Sequence, residues 1–465
     1  MKCFQLFSCT VLAAVLVLNG CSAPLPHTSN QDLSRYQPQP YIKFEHQDWT
    51  KNASIYQINT RQFTQEGTFR AAAKELPRVK ALGTDIIWLM PIHPIGQQNR
   101  KGELGSPYAV KDYFAVNPEF GTLTDFKYFV DEAHQLGMYV IIDWVANHTA
   151  WDNVIRQEHP EWYAKDYKGD VHPTPWFDWF DIIDLDYRSP ELRQYMSSAL
   201  KYWVKEVGID GYRCDAAGFV PLDFWNNVSA ELRQIKPVFM LAEWESRDMH
   251  EHAFDASYAW SWWEIMHDLA KGKASLGELA GYYAWNEKFY PKDSYRMTFV
   301  TNHDKNSWDG TDRELFGEAL ESVAVLSVIG EGMPLIYNGQ EAGNNKRLEF
   351  FKRDPIQWKK DPMGELYQRL FALKKDNTAL WNGHWGATMI KVPNSIPDKV
   401  FSFVRQNDKD KVFGVFNFSD MPVTVDFDEQ LFTGQYQDFS SGNTVKLETN
   451  STLDIEPWGY RVLLQ

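Results

Sequence analysis

Short apolar runs, each typical of a buried strand, recur between amphipathic helical stretches from about residue 54 to residue 337. The eight strand candidates are residues 54–58, 85–90, 138–143, 209–213, 239–243, 253–258, 297–300 and 334–337, and helical runs at 69–82, 124–136 and 190–207 lie between several of them. This alternation indicates repeated βα units around a parallel sheet, and eight strands form a closed barrel naturally. The sequence therefore predicts an α/β fold built on a (β/α)8 TIM barrel.

The rest of the 465-residue chain divides into further predicted regions. Residues 46–385 form the predicted barrel domain, and an aromatic-rich stretch at 149–188 is predicted to be a short insertion after strand three. A loop of that length in a compact protein is usually functional. From about residue 386 to residue 465, short alternating strands such as 400–404 and 412–418 predict a C-terminal antiparallel β-sandwich domain.

The amino terminus is predicted to be a targeting segment. An apolar stretch at 4–18 is shorter than the roughly 20 residues of a membrane span. It ends in the sequence LNGCS at 18–22, which resembles the lipobox of bacterial lipoproteins, so residues 1–20 are predicted to be a signal peptide and Cys21 a lipidation site. An ordinary signal peptide with an accidental cysteine is the alternative.

A tether is predicted to follow the lipid anchor. Residues 21–45 contain several prolines and polar residues, a composition typical of linkers. Together, the lipidation site and the tether predict a location in the bacterial cell envelope, at the outer membrane or facing the periplasm, with the membrane contacted through the lipid only.

Composition narrows the class of ligand. A formal net charge of −15 argues against nucleic acid, because phosphate binding needs clustered Lys and Arg. The chain also holds 19 Trp, 22 Tyr and 29 Phe, and those that do not fill the core suit flat amphipathic ligands such as sugars. We expect a neutral small-molecule ligand, and the oligomeric state stays open.

Four strand-like segments end in polar residues of catalytic type. These segments are DWVANH at 143–148, GYRCD at 211–215, LAE at 241–243 and FVTNHD at 299–304. A carboxylate at the wet end of a buried strand is costly unless something there needs it. Because barrel strands end at a common face, these side chains are expected to form one polar active site.

In this order, the four segments resemble the conserved regions of the α-amylase family of glycoside hydrolases. Two further segments carry the resemblance, GSPYAVKDY at 105–113 and GMPLIYNGQE at 332–341. The resemblance implies a barrel with an insertion after strand three and a terminal β-sandwich. It also implies an enzyme, here of lipoprotein type, that cleaves α-glucosidic, mainly α-1,4, bonds in starch-derived glucans or maltooligosaccharides.

The resemblance implies a catalytic role for three carboxylates: Asp215 as nucleophile, Glu243 as general acid/base and Asp304 as the stabiliser of the transition state. Retaining hydrolysis needs two carboxyl groups only about 5–5.5 Å apart. Arg213 lies two residues before Asp215, on the same strand face, and its charge is expected to keep Asp215 ionised. For Glu243 we expect an apolar setting and neighbouring negative charge that raise its pKa.

Sugar contacts are implied for Tyr108, His148, Arg213 and His303, with Tyr108 as the platform beneath the reacting ring. Taken alone, a strand-end histidine is more often structural and a tyrosine is usually part of the core, but their places in matched motifs favour function. Asp143, which opens its motif, is expected to orient its neighbours.

Cofactor and metal expectations are limited. No cofactor is required for this chemistry, while Asn147 matches a position that ligates a structural calcium ion in many α-amylases. A purely structural Asn147 is the alternative. The segment after the nucleophile reads Ala216-Ala-Gly218-Phe219 and lacks the Lys-His pair of typical α-amylases. A calcium-binding carbonyl and a product-side sugar contact are therefore both in question.

Substrate preference rests on a second departure from the family pattern. Exo-acting α-glucosidases of the family usually carry an acid three residues before the platform tyrosine, where this chain has Gly105. The departure favours cleavage within a glucan or near its end over a strict α-glucosidase. An α-glucan transglycosylase is a further alternative, whereas retention of all three carboxylates argues against a non-catalytic glucan-binding lipoprotein.

Overall fold

The computed structural model describes residues 34–428 and 430–465. The predicted signal peptide, Cys21 and the first part of the predicted tether lie outside the described residues. The described residues fall into two units, residues 34–40, in which Ser34–Tyr36 form a single 3-10 turn, and residues 41–465, which hold both the barrel and the β domain. Within the described ranges, no helix combines the length and the apolar character needed to cross a bilayer.

Eight parallel strands close into a barrel in chain order, and the first of them is hydrogen-bonded to both the second and the last. The described strands before the C-terminal β domain are β1 (Ile55–Ile58), β2 (Ile86–Leu89), β3 (Tyr139–Val145), β4 (His148–Ala150), β5 (Ile182–Asp184), β6 (Gly211–Asp215), β7 (Phe239–Ala242), β8 (Ala256–Tyr258), β9 (Tyr295–Phe299) and β10 (Met333–Tyr337). All except β4 and β5 belong to the barrel. The barrel prediction is confirmed; the largest shift is at β8, predicted at 253–258.

The barrel strands are apolar because both of their faces are covered. Every residue of β1, β2, β7 and β10 is buried, as expected for parallel strands between a filled barrel interior and an outer ring of helices. Polar side chains such as Gln57 and Arg213 are therefore exceptions within these strands, and they lie toward the carboxyl ends.

In the part of the chain that the structure describes, twelve α-helices lie between the strands. They are α1 (Thr60–Phe63), α2 (Phe69–Leu82), α3 (Leu123–Gln135), α4 (Ile155–Glu158), α5 (Pro190–Tyr202), α6 (Leu222–Ile235), α7 (Met249–His252), α8 (Trp260–Ala270), α9 (Leu276–Phe289), α10 (Asp312–Phe316), α11 (Leu320–Ile329) and α12 (Pro362–Asp376). Two π-helical turns, Trp203–Val207 and Lys305–Asp309, extend this set. Shorter 3-10 turns are Asp48–Thr50, Pro160–Trp162, Ala217–Phe219, Gly317–Ala319, Gln340–Ala342, Thr378–Leu380 and Gly383–Trp385.

Local sequence signals explain where the helices begin. The Ser189 hydroxyl caps α5 by accepting a hydrogen bond from the Leu192 N–H at 3.2 Å, and Pro190 occupies the first turn. Thr122 and Asp125 form a capping box at the start of α3. The predicted helix at 190–207 is α-helical only to Tyr202, because the chain continues as a π turn that ends at Gly208 in the left-handed region.

The inserted region contains a short antiparallel pair of strands. β4 pairs with β5, with His148 opposite Asp184 and Ala150 opposite Ile182. Ala150 and Ile182 form a small apolar cluster with Ile95 and Ala109 from the loop after β2, and Trp179 packs against it. The insertion and that loop are thus joined at the carboxyl end of the barrel.

The C-terminal region is an antiparallel β domain, as predicted. Its strands are β11 (Met389–Lys391), β12 (Val400–Gln406), β13 (Lys411–Asn417), β14 (Val423–Val425), β15 (Gly434–Asp438), β16 (Thr444–Leu447), β17 (Leu453–Ile455) and β18 (Tyr460–Leu464). Six of them form one sheet in the order β11-β12-β13-β18-β15-β16, and β14 pairs with β17. Phe413 and Val425 from the two sheets share one core. The exact domain boundaries stay predictions.

Buried contacts join the β domain to the barrel. Arg405 of β12 is 2% exposed, and its guanidinium donates hydrogen bonds to the carbonyl oxygens of Ile329 and Gly330 at the end of α11. Ser322 of α11 donates to the Trp458 carbonyl oxygen at 2.5 Å. These bonds satisfy backbone carbonyls in the interface that would otherwise be buried without a partner.

Gly211 controls how closely β6 approaches β7, and we predict that Gly211→Ala is strongly destabilising. Its φ is +148°, and a Cβ at this position would lie 1.8 Å from the Phe239 carbonyl oxygen. We expect the free energy of unfolding to fall by at least ~3 kcal/mol in chemical denaturation.

Gly208→Ala is the matched control, because it also has a positive φ, +89°, but open space around its Cβ. That variant should lose only about 1–2 kcal/mol from backbone strain. Equal losses in the two variants would contradict the steric explanation.

Candidate active site

The carboxyl ends of the barrel strands surround a cavity of about 910 Å³. Its lining includes most of the predicted site residues, namely Tyr108, His148, Asp215, Glu243, His303 and Asp304. Residues that are far apart in the sequence are brought together here because all the barrel strands end at this face.

Strand register places the two central carboxyl groups side by side. Cys214 of β6 is paired with Ala242 of β7, and Asp215 and Glu243 are the next residues along the two strands. The Glu243 N–H donates to the Cys214 carbonyl oxygen at 3.0 Å, which continues the pairing. Neighbouring strands lie about 4.7–4.9 Å apart. This spacing matches the separation that a nucleophile and an acid/base need in a retaining glycosidase.

One buried guanidinium contacts both of these carboxyl groups. Arg213 Nη1 donates to Asp215 Oδ1 at 3.1 Å, and Arg213 Nη2 lies 2.8 Å from Glu243 Oε1. The second contact is an ion pair without hydrogen-bond geometry. Arg213 Nε also donates to the Tyr258 hydroxyl at 3.2 Å.

The buried position of Arg213 corrects one expectation. Its side chain is 0% exposed, so it lies beneath the carboxylates and away from the open cavity. The structure assigns Arg213 contacts with Asp143, Asp215 and Glu243 in place of the sugar contact expected from the sequence. It is a positioning residue.

Asp143 has the supporting role expected for it. The side chain is fully buried, and it accepts hydrogen bonds from Arg213 Nη1 at 2.7 Å, from the Tyr108 hydroxyl at 2.9 Å and from Trp88 Nε1 at 3.3 Å. Burial raises the pKa of Asp143 to about 6 despite the Arg213 charge. Asp143 thus connects the guanidinium to the tyrosine platform.

The pKa of Glu243 is raised to about 8, in the direction expected for a general acid. Burial is the main cause, and the negative charges of Asp215 and Asp304 add to it, while Arg213 and a 2.7 Å hydrogen bond from the Ala216 N–H act in the opposite direction. A carboxyl group that keeps its proton near neutral pH can protonate a leaving oxygen.

Arg213 does not by itself set the ionisation of Asp215. Burial, followed by Asp143 and Asp304, raises the pKa of Asp215 to about 7, although Arg213 lowers it. Arg213 thus favours the ionised form of Asp215, as expected, but burial and the neighbouring negative charges together have the larger effect on its pKa. Asp215 still has a lower pKa than Glu243, which is the order required of a nucleophile and an acid.

Tyr108 and His303 are held in one chain of hydrogen bonds. The Tyr108 hydroxyl donates a hydrogen bond to Asp143, so its oxygen accepts one from the His303 Nε2–H at 2.7 Å. Gln57 Nε2 in turn donates a hydrogen bond to His303 Nδ1 at 2.7 Å. Burial lowers the pKa of His148 and His303 to about 4, so both are neutral near pH 7. The Tyr108 ring stacks on His303 with centroids 5.5 Å apart.

This geometry agrees with the family to which the chain is matched. The model described as "Alpha amylase, catalytic domain" matches residues 43–382, and "Alpha amylase, C-terminal all-beta domain" matches residues 394–461. The chain belongs to the alpha-amylase family. With its catalytic carboxylates in place, it is an amylase-type glycoside hydrolase.

Individual relatives agree in both sequence and fold. Alpha-amylase 2 of Dictyoglomus thermophilum is 27% identical over 468 residues, covering 91% of this chain and 77% of that protein. A noncanonic maltogenic alpha-amylase from Thermotoga neapolitana is 31% identical, with a TM-score of 0.81 over 89% of this chain and 98% of that chain. An alpha-amylase from Lactobacillus plantarum is 30% identical, with a TM-score of 0.80 over 90% and 100%.

The polar side chains around Asn147 are hydrogen-bonded to one another. Its Nδ2 donates to Thr174 Oγ1 at 3.1 Å and to Asp184 Oδ1 at 3.3 Å, and Asp184 also accepts from the Thr174 hydroxyl. The one carboxylate beside Asn147 is thus occupied by protein donors. Across the part of the chain that the structure describes, no cluster of three or more His, Cys, Asp or Glu side chains is arranged to hold a metal ion. The calcium role of Asn147 stays a prediction.

The two departures from the family pattern have packing explanations. Gly105 has a φ of +75°, and a Cβ there would lie 2.7 Å from Ile95 Cγ2, so the backbone leaves no room for an acidic side chain. At Gly218 a Cβ would lie 2.1 Å from the Trp244 indole. Phe219 is 40% exposed and packs edge-on against Trp244 at 5.5 Å. The segment after Asp215 therefore makes an aromatic contact with Trp244 through Phe219.

Several residues of the site were not found from the sequence. Gln57 and Tyr258 hold His303 and Arg213, and they also lie near the carboxyl ends of barrel strands, so the signal that identified the carboxylates could have found them. Aromatic residues also line the cavity: Phe177, Trp179 and Phe180 belong to the insertion that was predicted to be functional, whereas Trp308, Phe350 and Phe351, from segments after β9 and β10, were not singled out. Only folding of the loops brings these rings to the site.

We predict a bell-shaped pH dependence of kcat/KM on a maltooligosaccharide. Activity should rise as Asp215 loses its proton near pH 7 and fall as Glu243 loses its proton near pH 8, with both limbs reporting the coupled pair. Asp304→Asn removes a charge that raises both pKa values, so the basic limb of its residual activity should move to lower pH.

Asp181→Asn is the control, because Asp181 also lines the cavity but is absent from the charges that shift Glu243. It should leave both limbs in place. An Asp304→Asn profile that coincides with wild type would contradict the electrostatic assignment.

Proposed function

We propose that this enzyme cleaves α-1,4-glucosidic bonds in maltooligosaccharides and starch-derived glucans with retention of configuration. The observation that carries the proposal is the β6–β7 register, which sets Asp215 and Glu243 next to each other on a shared guanidinium. An inverting enzyme would need its carboxyl groups about 6.5–9.5 Å apart to admit a water molecule between carboxyl and sugar.

The reaction proceeds in two displacements. An Asp215 carboxylate oxygen attacks the anomeric carbon while Glu243 gives its proton to the glycosidic oxygen, so the carbon–oxygen bond breaks and the leaving chain departs as an alcohol. In the second step Glu243 takes a proton from water, whose oxygen attacks the same carbon and releases Asp215. Asp304 stabilises the positive charge that develops on the sugar in both steps.

Recognition of the sugar is supported by the shape of the lining. Tyr108 offers a flat ring backed by His303 and Phe350, with centroids 5.5 and 6.2 Å away. His148 and His303 are neutral at pH 7, so each can exchange hydrogen bonds with hydroxyl groups without adding charge. Aromatic faces with neutral polar groups are the lining that a pyranose ring needs.

Transfer to a second sugar is an alternative outcome that one observation favours. Phe219 and Trp244 form an apolar wall directly after the nucleophile and the acid/base, and Phe177 extends it with a centroid 5.9 Å from Phe219. Such a wall can hold an acceptor sugar and exclude water, and the intermediate then passes to a hydroxyl of that sugar.

We predict that Asp215→Asn and Glu243→Gln each abolish most activity on maltoheptaose. The expected loss in kcat is at least ~10³-fold for the nucleophile and about 10²–10⁴-fold for the acid/base. Products should be followed by chromatography and by NMR of the anomers, with wild type releasing α-anomers, and with pullulan and sucrose added to reveal debranching-type cleavage and transfer.

Asp312→Asn is the control, because Asp312 is also a largely buried carboxyl, 4% exposed, but does not line the cavity. Its activity should stay close to wild type. Near-normal activity in either catalytic variant, or β-anomeric products from wild type, would refute the proposed roles.

The location of the enzyme is a separate proposal. We infer from the LNGCS sequence at 18–22 that Cys21 is acylated and that the protein is held at a membrane of the bacterial cell envelope. A lipid anchor would keep the enzyme where oligosaccharides enter the cell envelope.

We predict that Cys21→Ser releases the protein from the membrane fraction. The substitution removes the thiol that carries the lipid, so the variant should move to the soluble fraction after cell breakage, as followed by immunoblotting. Cys214→Ser changes the buried free cysteine and should leave the distribution as in wild type. A Cys21→Ser protein that still sediments with membranes would exclude the anchor.

A further inference from the structure

A second pocket lies on the outer side of the segment that carries the general acid/base. Its volume is about 260 Å³, and its lining includes Glu245, Ser261, Tyr282, Trp285, Asn286 and Phe289. Glu245 is only two residues beyond Glu243, so the pocket borders the wall of the catalytic cavity. None of these six residues lines that cavity.

Helix α9 provides one wall of the pocket, where two of its aromatic side chains form an apolar surface. Trp285 and Phe289 lie four positions apart and therefore on the same face of the helix. Their rings are stacked, with centroids 5.0 Å apart and planes 19° apart, yet Trp285 is 63% and Phe289 36% exposed. A stacked tryptophan and phenylalanine left open to solvent form an apolar patch of the kind that marks a binding surface.

Polar groups lie beside this surface. Tyr282 is 7% exposed and lines the pocket, and its buried hydroxyl has no hydrogen-bond partner within the described residues. The same is true of Asn286 Oδ1. Both side chains line the pocket, so polar groups lie next to the aromatic rings in its wall.

Glu245 is held rigidly at the pocket wall. Its Oε2 accepts a hydrogen bond from the Ser261 N–H at 2.9 Å, and its Oε1 accepts from the Ser261 hydroxyl at 2.7 Å and from Arg296. The Arg296 side chain is 2% exposed. The carboxylate is therefore fixed, and a ligand hydroxyl would meet an acceptor that needs no reorganisation.

We propose that this pocket is a second, non-catalytic binding site for an α-glucan chain. A sugar ring has an apolar face that fits the Trp285–Phe289 surface and hydroxyl edges that fit Glu245, whose side chain is 21% exposed. The inference rests on the proposed function, because the ligand is the enzyme's own polymeric substrate. The pocket is much smaller than the catalytic cavity, so it holds a short stretch of a chain whose other part extends elsewhere.

The effect of the second pocket should depend on the length of the substrate. A long glucan can occupy the second pocket and the catalytic cavity together, which raises its effective concentration at the carboxylates. Maltotriose is too short to use both. The second pocket should therefore promote the cleavage of starch and have no effect on the cleavage of short oligosaccharides.

The test compares Trp285→Ala with wild type on soluble starch and on maltotriose. We expect the ratio of kcat/KM for starch to kcat/KM for maltotriose to fall about fivefold, the size expected for loss of one aromatic contact. Full-length Asp215→Asn protein with and without Trp285→Ala should also be run in native gels containing starch, where the added substitution should reduce retardation. Trp285→Phe keeps an aromatic ring and should restore part of both effects.

Tyr167→Ala is the matched control, because Tyr167 is 91% exposed and lies on the inserted region away from both pockets. It should keep the wild-type ratio and retardation. A ratio and a retardation that Trp285→Ala leaves unaltered would overturn the second site while the proposed function stands. Failure of wild type to hydrolyse either substrate would instead overturn the proposed function, and the two failures are thus distinct.

Discussion

The active site depends on one buried guanidinium. Arg213 is 0% exposed and contacts Asp143, Asp215 and Glu243, with the Tyr258 hydroxyl as its fourth partner. A lone buried cation would be very costly, but this one is surrounded by carboxyl groups that are equally in need of compensation. The pair with Asp143 is the most deeply buried, and the two contacts that remain hold the catalytic carboxyl groups in position.

The charges of this cluster do not balance, and the division of catalytic roles follows from that. Three carboxyl groups share one guanidinium, and Asp304 adds a further negative charge nearby. All of them cannot be ionised cheaply in a site of low dielectric, so at least one keeps its proton. Glu243 has the highest pKa, about 8, and is therefore the group that holds a proton to donate. The same imbalance raises the pKa of Asp215 to about 7.

Packing next to the carboxylates explains two positions at which this chain departs from the family pattern. Gly105 and Gly218 stand where relatives with other specificities carry polar side chains, and at both positions a neighbouring side chain occupies the space that a Cβ would need. At Gly218 that neighbour is Trp244, which lies directly after Glu243 and packs on Phe219. One small residue thus allows an apolar wall to form beside the nucleophile, and the chemistry of the carboxylates is unaffected.

The sequence alone determined the barrel, its eight strands and the terminal β domain, and it predicted the three carboxylates that line the cavity. It could do so because hydrophobic periodicity is local, and because a polar residue at the end of an apolar strand is recognisable without its neighbours. Only the tertiary structure decided that Arg213 lies beneath the carboxylates and that Gln57 and Tyr258 complete the site. It alone also set the pKa order of Asp215 and Glu243 and brought aromatic side chains from separate loops together. Burial and electrostatic coupling depend on distances between residues that are remote in sequence, and such distances exist only once the strands are paired in register.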